Sequence, residues 1–404
     1  MKRPISQVII AGIATCFIVV SVALLASNKP EFIAIKVLGG TPSDLLITNF
    51  DTVLYLSYLI GGLSSAIIAN KLGKRKVLIL TGSIGAGCSF LLLVIVPIYE
   101  IILILRFIQG LFTVLSWQML MTLLLDISSI QDRGKNMGIY GIFMAIGMGS
   151  GPVLGGFLAD VDVYMPYYFA IGFNTIATIV IFFLLDEPKK LLRKPSISEA
   201  FNLYRKNPGI IVPGIFNFID RLHMGFKLAI LPIFIKNVLG LNPSLRGMVL
   251  GINALPFIIL QYPIGKISDR KGRFSFLILG SIGYGITLSL IGYLGSFSFI
   301  NLIVLYIILG VFSGITGPPS SALIGDLVEH ENNAMAMGFF NMLGNFGIII
   351  GPLFGGLLAT ASNYVLTFIV AGIIELVALG ICILISKRFN IMKDFHPARI
   401  TRIE

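Results

Sequence analysis

Four ionisable residues lie close together inside one long apolar stretch. Asp220, Arg221, His223 and Lys227 are surrounded mainly by Ile, Leu and Phe. In a helix, Asp220, His223 and Lys227 share one face, and Arg221 lies about 100° round from Asp220. A buried carboxylate beside cations can bind and release a proton when its surroundings change. This pattern predicts a proton site at Asp220 tuned by Arg221, or alternatively an ion pair of Asp220 with Arg221 or Lys227 that only holds helices together.

A second charged residue, Arg106, lies in another apolar stretch. Gln109, Thr113 and Trp117 fall on roughly the same helical face. Arginine stays charged at any relevant pH, so Arg106 can attract an anionic substrate or change the proton affinity of a nearby carboxylate. The remaining polar candidates for a substrate cavity are His223, Lys227, Asn253, Tyr306, Asn341 and Asn345, with Gln261 as a weaker one. Phe216 and Phe218 are more typical of packing, and Asp51 is either functional or a plain interfacial residue.

The composition excludes a soluble protein. Of 404 residues, 56% are hydrophobic and only 12% are charged, where an ordinary soluble domain has about 25% charged residues. The mean hydropathy is +0.93. So much apolar surface exceeds what one core can hide, so we expect lipid to be the solvent. A soluble enzyme, a nucleic-acid-binding domain and a disordered linker protein are therefore excluded, despite the net charge of +11.

Apolar stretches of about 20 residues predict membrane-spanning helices. Twelve are found, near residues 7–27, 46–69, 76–97, 100–124, 136–160, 164–185, 209–235, 246–267, 275–295, 299–325, 335–360 and 364–386. The first is interpreted as a span and not as a cleaved signal peptide, because it has a counterpart in the internal repeat described below. With the N-terminus inside, 23 of the 30 Lys and Arg residues fall in cytoplasmic segments. This bias predicts that both termini are cytoplasmic.

The longest polar segment separates two groups of six spans. It is basic, and we expect it either to lie on the anionic cytoplasmic lipid surface or to be a solvated linker. The predicted organisation is an N-terminal six-helix bundle at 1–185, this linker at 186–207, a C-terminal six-helix bundle at 208–390 and a cytoplasmic tail at 391–404.

The two groups of spans are copies of one another. At an offset of 200 residues, Gly110, Asp126 and Gly138 align with Gly310, Asp326 and Gly338. Longer matches at the same offset are Gly147, Gly151, Pro152, Gly155 and Gly156 with Gly347, Gly351, Pro352, Gly355 and Gly356. Two pseudo-symmetric six-helix bundles follow, which is a known construction of transporters.

The loop motifs resemble those of the major facilitator superfamily. Residues 265–273, which include Gly265, Asp269, Arg270, Gly272 and Arg273, match the pattern G-x-x-x-D-R-x-G-R. The first-half copy contains Gly73 and Arg75 but departs from the pattern, with Ala66 for glycine and Asn70 for aspartate. The resemblance implies a cytoplasmic latch at these positions together with Asp126 and Asp326. Since Asn70 carries no charge, the first-half latch is predicted to be weaker.

Two further motifs extend the resemblance over nearly the whole chain. Arg106-Phe107-Ile108-Gln109-Gly110 resembles the R-x-x-Q-G motif of the fourth helix, which implies a role of Arg106 in proton coupling. In the fifth span, Gly147-x-x-x-Gly151-Pro152-x-x-Gly155-Gly156 resembles the motif associated with antiporters. Glycines four apart let helix backbones approach closely, and proline permits a bend. They predict either a hinge or simple tight packing.

The resemblance implies an all-α major facilitator fold and a transporter instead of an enzyme. The expected function is alternating-access, proton-coupled export of small lipophilic or amphipathic compounds. The alternative is a carrier of an anionic metabolite or lysolipid bound by Arg106 and Arg221, and a more distant one is a sensor that carries nothing. In this family the twelfth helix is an outer support, so Glu375 is less expected in the cavity than in a structural hydrogen bond or a lateral entry route.

Cofactors and partners are expected to be few. The chain has no nucleotide-binding G-x-x-x-x-G-K-[ST] loop, so ATP-driven transport is not expected. Scattered histidines and three unpatterned cysteines predict no metal site and no disulfide framework. We expect no cofactor beyond a coupling proton, a small-molecule substrate, the lipid bilayer as surroundings, no nucleic acid, and a monomer in a prokaryotic plasma membrane.

Overall fold

The computed structural model describes residues 4–37, 41–128, 132–187, 197–329, 332–389 and 391, apart from the side chains of residues 4, 63, 66, 67, 69–71, 133, 134, 197–201, 333 and 334. Within these ranges the chain forms helices and no strands. The helices are α1 (Pro4–Ala23), α2 (Lys29–Lys36), α3 (Asp44–Leu72), α4 (Arg75–Ile95), α5 (Tyr99–Ile127), α6 (Arg133–Val161), α7 (Met165–Leu184), α8 (Ile197–Lys206), α9 (Ile211–Leu239), α10 (Pro243–Ile252), α11 (Ala254–Lys271), α12 (Arg273–Leu294), α13 (Phe299–Asp326), α14 (Asn333–Ala361) and α15 (Tyr364–Arg388). Short 3-10 turns precede α2 and α9.

Twelve stretches of the described chain are long and apolar enough to cross a membrane. They are formed by α1, α3, α4, α5, α6, α7, α9, α10 together with α11, α12, α13, α14 and α15. This confirms the predicted count and the all-α polytopic fold. The eighth span differs from the prediction because it is interrupted at Asn253, between α10 and α11.

Many large apolar side chains point away from the protein interior. Phe183, Ile259 and Leu384 are among those exposed over most of their surface. In water such a surface would be an aggregation hazard. Helices that satisfy their own backbone hydrogen bonds can present it to lipid at no such cost. The chain is therefore a multi-pass membrane protein.

The chain divides into two compact units. Unit 1 contains Met1–Lys194 and Leu231–Gly251, and unit 2 contains Pro195–Ile230 and Ile252–Glu404. The end of α9 and most of α10 thus belong with unit 1. The division predicted from the repeat, at 186–207, describes homology and stays a prediction.

Glycines of α6 and α14 allow close helix packing within each unit. In unit 1, a Cβ added at Gly155 would lie 1.9 Å from the Leu24 carbonyl oxygen. In unit 2, a Cβ added at Gly347 would lie 2.0 Å from the Phe218 carbonyl oxygen. Any side chain at these two positions would force the backbones apart, so Gly155 and Gly347 each have a packing role, one in each copy. Their role as hinges stays a prediction.

The described part of the predicted linker packs against unit 2. Leu203 of α8 is buried in a cluster with Ile210 and Phe340, and the Tyr204 ring stacks on Phe339 of α14 at 5.3 Å. The second part of the linker is therefore neither free in solvent nor laid only on lipid. Of the predicted tail, Ile391 is buried in a further cluster of unit 2, and residues 392–404 lie outside the described residues.

Candidate proton and substrate sites

Asp220 lies in the middle of α9 and lines a small cavity inside unit 2. The other lining residues come from α9, α12, α13 and α15: Phe216, Ser281, Tyr284, Thr316, Gly317, Ser320 and Glu375. The Asp220 side chain is partly exposed. No hydrogen bond or ion pair of Asp220 is found in the described part of the chain, and Arg221 makes only a weak contact of 3.8 Å with the Met224 sulfur. The Asp220 carboxylate is therefore available to bind a proton.

His223 lies three residues further along α9 and is fully buried. Its Nε2 lies 2.9 Å from the carbonyl oxygen of Ala371. Its Nδ1 lies 3.2 Å from Oε2 of Glu375, an ion-pair distance without the alignment of a good hydrogen bond. Glu375 was less expected in the cavity than in a structural hydrogen bond, because the twelfth helix is an outer support. It faces inward, contacts His223 and also lines the same cavity as Asp220.

Tyr284 of α12 connects His223 with Lys227. The His223 ring stacks on the Tyr284 ring at 5.4 Å, and the Lys227 ammonium lies 5.2 Å from the centre of the same ring. A cation over an aromatic face is stabilised by the ring quadrupole. Lys227 is thus held by an aromatic ring, and no ion pair of Lys227 with Asp220 is found among the described residues.

A second charged cluster lies in unit 1 and involves Arg106 of α5. Arg106 is buried, donates from Nη1 to Gln109 at 2.9 Å and lies over the Phe50 ring at 4.2 Å. Gln109 in turn donates to the Thr113 hydroxyl at 2.8 Å. The Arg106 Nε has no hydrogen-bond partner in the part of the chain that the structure describes. The predicted face of α5 therefore forms a chain of hydrogen bonds that begins at a buried cation.

Asp51 of α3 is paired with Lys29 of α2, and both are buried. Asp51 is therefore not an interfacial residue facing water. Burial lowers the pKa of the Lys29 ammonium, the Asp51 carboxylate opposes this effect, and the nearby Arg106 guanidinium adds to it. The sequence contains no signal from which the inward position of Lys29 could have been predicted.

A further ion-pair network of unit 1 involves the segment between α9 and α10. Glu31 of α2 lies 2.7 Å from Arg246 and 3.2 Å from Lys236. Arg246 is fully buried, whereas Lys236 is 36% exposed. Nearby, Asn242 donates to Asp160 at 2.9 Å. These residues were not predicted as functional. The only signal in the sequence for this ion-pair network is the charge of its members on outer segments.

The predicted latch residues come together in both halves. In unit 1, Arg75 contacts Asp126 at 3.0 Å with both side chains buried. In unit 2, Arg273 contacts Asp326 and also Asp269, the latter at 2.8 Å. Gly73 and Gly272 adopt positive φ before these arginines, which a glycine tolerates without strain.

Other latch predictions have different outcomes. The side chain of Asn70 lies outside the described residues, and Arg270 is exposed. Sequence reasoning missed Glu187, which accepts a hydrogen bond from the backbone N–H of Lys76 at 2.8 Å and also contacts that of Arg75. A carboxylate there stabilises the first turn of α4.

The remaining cavity candidates are scattered. Asn253 donates to the Tyr306 carbonyl oxygen at 3.0 Å, and Tyr306 is buried. Trp117 is half-buried, and its carbonyl oxygen accepts from Tyr140. Three other candidates, Asn341, Asn345 and Gln261, are exposed. Their roles in substrate binding stay predictions.

The twelve candidate spans of the described chain, with buried charged clusters within them, are typical of a polytopic transporter. The family model of the Major Facilitator Superfamily matches residues 11–226 and 214–394. The chain belongs to that superfamily.

Several relatives of the chain are named for drug resistance. The chain is 23% identical to multidrug resistance protein 2 of Bacillus subtilis over 96% of this chain and 98% of that protein. It is 24% identical to the class B tetracycline resistance protein of Escherichia coli over 71% of this chain and 72% of that protein. The chain is thus a transporter similar to drug-efflux members of the superfamily, and it is not an enzyme.

Solved structures show the same fold. The nucleoside transporter NupG matches with a TM-score of 0.77 at 15% identity, over 96% of this chain and 100% of that chain. The human organic anion transporter MFSD10 matches with a TM-score of 0.65 at 15% identity, over 95% of this chain and 100% of that chain. At such identities the matches concern the fold alone.

Proposed function

We propose that this protein is a proton-coupled exporter of small lipophilic or amphipathic compounds that works by alternating access. Asp220 is the principal proton site, and Arg221 and Arg106 adjust the balance of charge. The observation that carries the proposal is the Asp220 carboxylate, which lines a cavity at the middle of a spanning helix and has no ion-pair partner among the described residues. An ionisable group at that depth is expensive to keep unless it has a function.

Two further observations support export of lipophilic compounds. Relatives of the chain are named for multidrug and tetracycline resistance, and export of the drug is one way in which a transporter can confer resistance. The Asp220 cavity also has aromatic walls at Phe216 and Tyr284, which suit an apolar or cationic compound. The distribution of Lys and Arg supports cytoplasmic termini in a prokaryotic cell membrane. The protein acts as a monomer and needs no cofactor beyond the proton.

The second candidate function is transport of an anionic metabolite or lysolipid. It is favoured by one observation: Arg106 is buried without a carboxylate partner among the described residues, and its Nε is free to donate. Arg221 is also without an ion pair there and partly exposed. A phosphate or carboxylate headgroup matches the planar guanidinium better than any cation does.

The test is the lumenal pH of proteoliposomes that contain a pH-sensitive dye and have an acidic lumen, so that an antiporter takes up an external compound in exchange for lumenal protons. Addition of ethidium, a lipophilic cation, is expected to dissipate the gradient with the wild-type protein and to leave it unchanged with Asp220→Asn. Asp162→Asn is the matched control, because it makes the same chemical change at an exposed position outside the spans. Protein-free liposomes give the background leak.

Two results would contradict the proposal. Dissipation by ethidium that is equal in Asp220→Asn and the wild type would remove Asp220 from coupling. Uptake of a radiolabelled lysophosphatidate that fails in Arg106→Gln and Arg221→Gln, without any ethidium response, would favour the anion carrier instead.

A further inference from the structure

His223 makes two contacts with one turn of α15. Its Nε2 lies 2.9 Å from the Ala371 carbonyl oxygen, and its Nδ1 lies 3.2 Å from Glu375 Oε2. Ala371 and Glu375 are four residues apart, so they stand one above the other on the same face of the helix. Both side chains of the His223–Glu375 pair are more than nine-tenths buried.

The contact with Ala371 determines where the first imidazole proton lies. A carbonyl oxygen can only accept a hydrogen bond, so Nε2 must be the donor. In the neutral ring Nδ1 is then an unprotonated acceptor, and it faces a carboxyl oxygen at 3.2 Å. Two acceptors at that distance repel unless a proton lies between them. One proton therefore belongs to this contact, on Nδ1 as imidazolium or on Oε2 as carboxylic acid.

We propose that His223 and Glu375 form a second proton-binding site, distinct from Asp220, which holds one proton on either Nδ1 or Oε2. On uptake, an N–H bond forms at Nδ1 or an O–H bond forms at Oε2, and the donor is hydronium, which is left as water. On release, the same bond breaks and water takes the proton. The use of this site in transport rests on the function proposed above, but its ability to bind a proton does not.

The charges around the pair connect it to Asp220. From α9 it faces Asp220 and Lys227, from α12 it faces Tyr284, and Cys382 lies further along α15, whereas Arg221 lies near Asp220. A negative Asp220 favours a proton on the pair, whereas the Lys227 ammonium opposes it. Protonation of Asp220 therefore weakens proton binding by the pair. Transfer of one proton between Asp220 and the His223–Glu375 pair is therefore more favourable than protonation of both sites at once.

The cavity offers a route for that exchange. The hydroxyls of Ser281 and Tyr284 line the same cavity as Asp220 and Glu375. Both hydroxyls are buried and have no hydrogen-bond partner in the described part of the chain. A hydroxyl both donates and accepts hydrogen bonds. It can therefore receive a proton on one side while it gives one on the other.

The experiment is 15N NMR of the full-length protein in nanodiscs, labelled only at histidine. The chain has three histidines, so His330→Gln and His396→Gln leave His223 as the single signal. We expect Nε2 to remain protonated at every pH and Nδ1 to be the nitrogen that titrates. In Glu375→Gln, protonation of Nδ1 is expected to need a proton concentration at least tenfold higher, that is, a lower pH, because no carboxylate stabilises the imidazolium. Asp220→Asn is expected to produce a smaller displacement of the same sign.

Controls separate this proposal from folding and from transport. Tyr284→Phe keeps the stacked ring and is expected to leave the tautomer unchanged, and Glu375→Asp keeps the charge and tests the site if Glu375→Gln does not fold. An Nε2 that is unprotonated at neutral pH would overturn the proposal, as would an Nδ1 titration identical in Glu375→Gln and the parent. Since no substrate is added, the result is independent of whether Asp220 couples transport.

Discussion

Asp51 and Asp220 are both carboxylates within spanning helices, yet their surroundings differ. Asp51 in unit 1 is paired with Lys29, and both side chains are almost completely buried. Asp220 in unit 2 lines a cavity and has no ion pair among the described residues. A charge with a fixed partner contributes to structure, because breaking the pair leaves a bare charge in a medium of low polarity. A charge without one can change its protonation while the fold stays intact. The comparison thus indicates a structural role for the Asp51 carboxylate and a proton-binding role for the Asp220 carboxylate.

The largest expected effect that tests this difference between the two carboxylates is that of replacing Asp51. Asp51→Asn leaves the Lys29 ammonium buried without its carboxylate, and we expect a loss of about 3–5 kcal/mol in the free energy of unfolding. Asp220→Asn removes no pair and should change that free energy by less than about 1 kcal/mol. The measurement is unfolding by SDS in mixed micelles. Equal losses in the two variants would show that the distinction between the carboxylates is wrong.

The two latch pairs give the next effect, because each half pairs an arginine with the repeated aspartate, Asp126 or Asp326, in a different environment. Arg75 and Asp126 are buried, whereas Arg273 and Asp326 are 15% and 29% exposed. Asp126→Asn is expected to lose about 3 kcal/mol, and Asp326→Asn about 1 kcal/mol or less. The same SDS titration compares them. A larger loss in Asp326→Asn would mean that burial does not determine the strength of the latch.

Glu31 allows a comparison between two cations on one carboxylate. Glu31→Gln leaves the buried Arg246 without its carboxylate, and we expect a loss of about 2 kcal/mol. Lys236→Met removes only a half-exposed partner and should change stability by less than about 1 kcal/mol. Thermal aggregation in detergent reports both. The interpretation would fail if Lys236→Met were the more harmful of the two.

The smallest effect is a pH dependence at Lys36. Its ammonium donates to the carbonyl oxygens of Val94 and Val96 at 2.9 and 2.8 Å, and burial lowers its pKa. Below the unfolded pKa the unfolded chain then binds more protons than the folded one, so stability should rise as the pH increases towards that value. The rise should disappear in Lys36→Met. The prediction would be contradicted if the stability of the wild type fell over the same alkaline range while that of Lys36→Met did not change.

The sequence predicts the spans and the latch well because both depend on local signals. Hydropathy alone gives twelve spans, and the match around Asp269 and Arg273 gives the second latch. The first latch forms although Asn70 departs from the motif, since Arg75 pairs with Asp126 on another helix.

Contacts between distant segments are the part that the sequence does not reveal. Lys29 and Asp51 are 22 residues apart, and nothing in their spacing indicates that α2 turns inward. Glu375 was assigned to an outer helix, but its position on that helix relative to Ala371 turns it towards His223. The rotation of a spanning helix about its axis is determined by packing. In a span that is apolar on all sides, the sequence does not indicate which face is buried.

The role of Asp220 in proton coupling can be measured separately from its role in substrate binding. Proteoliposomes are loaded with ethidium, and two fluxes are measured: efflux driven by a pH gradient, and exchange of ethidium for ethidium at equal pH on both sides. We predict that Asp220→Asn loses the first at least tenfold and keeps the second, because exchange needs the cavity but no change in protonation. Loss of neither flux, or equal loss of both, would contradict the assignment of Asp220 as the coupling site.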